Sequence, residues 1–221
     1  MTPTPPGTAL DQPPNVVSLA VASAVTVLAG SVTMALEMVL GRSFTPYFGG
    51  TLYTWGALVS VFMLGMAIGY AWGGRLADRW PSFRVLMALL AAAAVPIGLY
   101  PLVGEAVINR VLDQVEDVRY AALTAAVLLS VVPVALLAAA SPLCVRLSTV
   151  SAATAGTTSG RLSALNTVGS VLGTLATSFY LIPSMGVQAI FYLLAGVCGL
   201  AMLVALVGAA VARPPTAEET L

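Results

Sequence analysis

Six runs of this sequence are apolar and long enough to cross a lipid bilayer, and charge hardly interrupts them: 16–40, 51–74, 83–103, 121–144, 161–182 and 185–211. A helix rises ~1.5 Å per residue, so about 20 apolar residues cover a hydrocarbon layer ~30 Å thick. No water satisfies backbone amides in that layer, and a run that crosses it alone must satisfy them internally, as an α-helix. The expected fold is an all-α integral membrane protein, a six-transmembrane-helix bundle. Composition agrees. Only 8% of the 221 residues are charged and the mean hydropathy is +0.97, against about 25% charged residues in a soluble domain.

Nine arginines and no lysine balance nine acids, so the chain carries no net charge and offers no bulk electrostatic footprint for nucleic acid. There is no histidine, which removes the commonest metal ligand and proton shuttle. No residue cluster has metal-ligand spacing, and neither a metal nor a cofactor is expected. Cys144 and Cys198 fall in separate apolar runs and read as small buried hydrophobes. Residues 1–15 form a proline-rich polar tail that lacks the basic start of a signal peptide, and 212–221 form a second short tail.

The arginines set the orientation. With six spans, the two termini, the link after span two and the link after span four share one side. That side holds Arg75, Arg79, Arg84, Arg146, Arg161 and Arg213, against Arg42, Arg110 and Arg119 on the other. Six against three places both termini in the cytoplasm of an inner, plasma-membrane protein. The segment 43–50, with Pro46 and a Gly pair, reads as a turn, and Gly74 to Arg79 as a basic loop. Tyr53 and Trp55 mark the outer interface, and Tyr70, Trp72 and Trp80 the inner one. Interior Pro96, Pro101, Pro133 and Pro142 predict kinks. Residues 104–120 alternate apolar and charged groups at helical spacing and predict a short amphipathic helix lying on the outer surface. The link 147–160 is rich in Ser, Thr, Gly and Ala and reads as flexible.

Three features within the spans bear on function. Gly65, Gly69 and Gly73 repeat every fourth residue along one face of span two, which suits close helix packing, either within the chain or at a homodimer seam. Span five carries Ser163, Asn166, Thr167, Ser170, Thr174 and Thr177 on one side and bulky apolar residues on the other. Its hydroxyls can satisfy themselves on the preceding turn, whereas Asn166 needs an interhelical partner. This stripe is either helix–helix glue or the wall of a polar cavity. Glu37 is the one carboxylate inside an expected span, placed about a turn from its outer boundary. It either pairs with a cation, Arg42 being near in height though about 140° around the helix, or provides an anionic site for a cationic solute. No serine, threonine or cysteine has a histidine to activate it.

Several blocks resemble the membrane region of the fused, major-facilitator-like spermidine synthase family. They are Glu37 to Arg42 with Pro46 to Gly50; Leu64 to Tyr70 with Gly74 to Arg79; and Ser141 to Arg146 with Gly160 to Gly169 and Ile182 to Gly186. The resemblance covers most of 25–200 and implies a bundle like one half of a major facilitator transporter. There, Asp78 beside Arg75 and Arg79 would latch helix ends on the cytoplasmic side. The family's soluble aminopropyltransferase domain has no counterpart in this sequence, so no catalytic residue carries over and no enzyme activity is expected. Binding or transport of a small solute by a homodimer or other oligomer is the first expectation; the resemblance suggests a polyamine-like cation, and the residues themselves point to Glu37, Asn166, Ser170 and Thr174 as the site. Two alternatives are an accessory subunit of a larger membrane complex and an anchor for a separate aminopropyltransferase-like protein.

Overall fold

The computed structural model describes residues 16–149 and 154–211. The two tails, and 150–153 within the link after span four, lie outside the described residues. The chain forms helices α1 (Val16–Phe48), α2 (Leu52–Arg79), α3 (Phe83–Gln114), α4 (Val118–Ser148), α5 (Ala155–Ala176), α6 (Ile182–Ser184) and α7 (Val187–Val211). A π-helical turn, Thr177–Leu181, joins α5 to α6, so these three make one continuous fifth span, Ala155–Ser184. Six helices are thus long and apolar enough to cross a membrane, and the described residues contain no strand. The chain is a multi-pass integral membrane protein.

The helices outrun the expected spans because hydropathy marks where the apolar layer ends, not where helical hydrogen bonding ends. α1 does not break at 40. It continues through Pro46 to Phe48 and stops at Gly49, whose φ of 73° belongs to the left-handed region. Thr51 then caps α2, accepting from the Thr54 amide at 3.3 Å. The expected basic loop 74–79 is the last helical turn and a half of α2, and the chain reverses only at 80–82. The expected surface helix 104–120 is not a separate element. Residues up to Gln114 continue α3, and after three residues Asp117 caps α4 through the Arg119 amide at 2.9 Å. Ile108 and Val111 on its apolar face are buried in the bundle.

Packing follows a simple scheme. α2 lies along α4 and α1 along α5; α3 packs on α4 and α7 on α1; α1 meets α4, and α3 meets α7. Exchanging α1, α2 and α3 with α4, the fifth span and α7 maps α2–α4 onto α1–α5 and α3–α4 onto α1–α7, and leaves α1–α4 and α3–α7 unchanged. Each unit has three spans, an odd number, so the two units run through the membrane in opposite directions.

Small residues make the two closest pairings. Gly65, Gly69 and Gly73 of α2 face Val134, Ala138 and Ala139 of α4, and a Cβ at Gly73 would come within 2.6 Å of the Ala139 Cα. The glycine face of α2 is therefore filled from within the chain and is not a homodimer seam. The symmetry-equivalent pairing uses Gly169 and Gly173 of α5 against the backbone of Val27 and Ser31 on α1. In lipid, such close packing replaces the hydrophobic drive that water supplies elsewhere.

Candidate functional site

α2 and the fifth span flank the bundle on the same side and leave a groove between them, floored by α1 and α4. Toward the arginine-rich end this groove holds about 720 Å³ and is lined by Tyr70, Asp78, Arg146, Ser159, Ser163 and Thr167, among others. Tyr70, Ser141 and Asn166 lead from it into a small enclosed cavity of about 20 Å³ beside Thr26, Gly30, Thr33 and Ser170. That volume holds about one water molecule.

Most hydroxyls here satisfy themselves, as the sequence suggests. Thr167 donates to the Ser163 carbonyl at 3.0 Å, Thr174 to Ser170 at 2.9 Å and Thr33 to Ala29 at 2.8 Å. Ser170 does more: it donates to Asn166 at 2.9 Å and also reaches the Gly30 carbonyl on α1 at 3.3 Å, which ties the two helices together. The buried Thr26 hydroxyl, beside the Cys144 thiol, makes no hydrogen bond to any described residue. Val168, Val171, Leu172, Leu175 and Phe179 are all about half exposed or more, and so form the lipid-facing side of the fifth span.

Asn166 departs from its expected role. Its backbone and side chain press against Gly30, but its amide hydrogen-bonds to none of the described residues. It lines both the cavity and the groove, with its donors and acceptor available to a solute. Thr174 lies about two turns further along α5 and lines neither. Tyr70, expected as a membrane-interface aromatic, lies on the cavity wall instead. Thr26, Thr33 and Ser141 were not expected at a site, because a single polar residue per turn on an otherwise apolar helix gives no pattern.

One expectation for Glu37 is corrected. α1 runs on to Phe48, eleven residues or about 16 Å past the carboxylate. It is 8% exposed, and no described residue forms an ion pair or hydrogen bond with it. Arg42 does not pair with it; that side chain is exposed and lines a different cavity. Seven residues separate Glu37 from Gly30. On an ideal helix this places them about 20° apart in angle and ~10 Å apart in height. Glu37 thus shares the α1 face of Gly30 and Thr33, though it does not line the enclosed cavity.

At the arginine-rich end, Asp78 makes no ion pair with Arg75 or Arg79 among the described residues, so the expected latch does not form within the chain. Arg79 instead lies over the Trp80 ring at 5.3 Å. Asp78 and Arg146 both face the groove mouth. The arrangement brings together Asn166, Ser170, Tyr70 and Ser141 with Glu37 further along the same side. Its groups can hold a small hydrogen-bonding solute, and no group of three or more metal-ligating side chains occurs among the described residues.

Comparisons with known protein families, with curated proteins and with solved structures found no match in any of the three.

Proposed function

We propose that this protein binds and moves a small cationic, polyamine-like solute across the membrane, without catalysing a reaction, through the groove between α2 and the fifth span. The observation that carries this reading is Glu37. A carboxylate held deep in a bundle with no cation beside it is costly, and such groups mark ion and substrate pathways. The groove supplies polar groups on the same side. The two inverted three-span units support a likeness to one half of a major facilitator transporter, and the sequence resemblance suggests the polyamine. The groove is open along its side, with Ser163 and Thr167 exposed. Polar groups at that depth call for cover, and a second copy of the chain supplies it.

The same open side favours a second reading, in which a different subunit covers the groove and this chain is an accessory subunit or membrane anchor. Gentle extraction followed by native mass measurement separates the two. A homodimer supports transport, and a fixed hetero-complex overturns it. On the same sample, spermidine should raise the thermal unfolding midpoint of the wild type and leave that of Glu37→Gln unchanged. Equal stabilisation of both proteins removes Glu37 from the site.

A further inference from the structure

A second cavity, of about 310 Å³, opens at the opposite end of the bundle between α1, α3 and α7. Its size is that of a small-ligand pocket. It is built, not incidental. Tyr100 of α3 stacks on Phe191 of α7, with ring centroids 3.9 Å apart and planes 18° from parallel. The Tyr100 hydroxyl is fixed at 2.6 Å from the Ser43 hydroxyl of α1. These two contacts tie three helices into an aromatic wall. Gly104 makes room for it, since a Cβ there would come within 2.8 Å of the Tyr100 ring. Pro46 also lines the cavity and, having no amide hydrogen, leaves the Arg42 carbonyl without its helical donor.

Arg42 and Glu105 both line this one cavity. Neither forms an ion pair, a hydrogen bond or a ring contact with any described residue. A free guanidinium and a free carboxylate on the same cavity, not neutralising each other, match a ligand that carries both charges. The guanidinium suits a phosphate, which it can grip through two parallel N–H bonds. The carboxylate, together with the freed carbonyl, suits an ammonium group. Depth points the same way. α1 and α3 have 33 and 32 residues, about 50 Å each, which exceeds the ~40–45 Å of a bilayer with its headgroups. Arg42 is six residues from the end of α1, and Gln188, also on the cavity, is in the first turn of α7. The cavity therefore lies at headgroup depth.

We propose that this cavity is a binding site for a phosphate–ammonium zwitterion, the chemistry shared by an ethanolamine phospholipid headgroup and free phosphoethanolamine. The site is separate from Glu37 and does not depend on the transport reading. Two arms test it on the full-length protein. In detergent, phosphoethanolamine is titrated by calorimetry. In nanodiscs, the unfolding midpoint is compared between phosphatidylglycerol alone and a mixture with phosphatidylethanolamine. Binding or stabilisation in either arm is expected, and the arm that responds identifies free solute or lipid as the source. Arg42→Gln and Glu105→Gln, both at exposed side chains, should each weaken the response by about tenfold, while Glu37→Gln should leave it intact. The proposal is overturned if neither arm responds, if both cavity variants respond like wild type, or if inorganic phosphate alone binds as tightly as phosphoethanolamine.

Discussion

Gly30 of α1 lies against the peptide carbonyl of Asn166 on α5, and a methyl group at position 30 would overlap it. In the other flanking pair, Gly69 of α2 lies against Ala135 of α4, with the Ala138 Cβ 2.7 Å from where a Gly69 Cβ would sit. These backbone approaches set how closely the flanking helices pair with α1 and α4, and so set the width of the groove between them.

Substitutions at these glycines should be costly and sharply position-dependent. Gly69→Leu and Gly173→Leu force apart paired backbones and should destabilise the protein by about 2 kcal/mol or more, as overpacked cores do. Gly74→Ala, next to Gly73 but with nothing within 4 Å of its Cβ position, should be neutral or raise stability by up to ~1 kcal/mol, since alanine is the better helix former. Thermal unfolding in detergent compares the three.

The Ser43–Tyr100 hydroxyl pair links α1 to α3, which share no other described hydrogen bond. Ser43→Ala and Tyr100→Phe should each cost about 1 kcal/mol. The double variant should cost less than the sum of the two, because the bond can be lost only once. A double-mutant cycle on unfolding midpoints measures the coupling, and strict additivity would remove this bond from the fold's support.

Much of this architecture is legible in the sequence. Six uninterrupted apolar runs fix the number of helices, and the lipid face of the fifth span follows from Val168, Val171, Leu172 and Phe179. The ends of helices are not legible. Pro46 and the Gly49–Gly50 pair read as a turn, yet the helix accommodates Pro46 and ends only at Gly49. Asn166 was identified as a residue needing a partner, but no periodicity tells that the facing position on α1 is a glycine that fills space and offers its side no hydrogen-bonding group. Glu37 and Arg42 are near in height but about 140° apart around the helix, and they do not pair.

Cys144 and Cys198 are both buried and free. Neither should react with a membrane-impermeant maleimide until the protein is denatured. In a background with both replaced by alanine, a cysteine at Ser82 and one at Asp113 should label from opposite sides of a vesicle, because α3 crosses once between them. Labelling of both from one side would contradict the six-span topology. Labelling of the Ser82 position from the cytoplasmic side would support the orientation inferred from the arginines.

Asn166→Ala should retain the fold, since its amide supports no other described residue, and should weaken binding of a polyamine about tenfold, as loss of a hydrogen bond to a charged ligand does. Calorimetry on the purified protein measures this. A variant that unfolds would instead make Asn166 structural glue between α1 and α5.

Glu37 is best tested by transport itself. Purified wild type and Glu37→Gln are reconstituted into proteoliposomes, and uptake of labelled spermidine is followed against empty vesicles. Uptake by the wild type that falls to the background of empty vesicles in the folded Glu37→Gln variant is the result expected of a cation pathway through the groove. Equal uptake by the two proteins, or none above background in either, would contradict it.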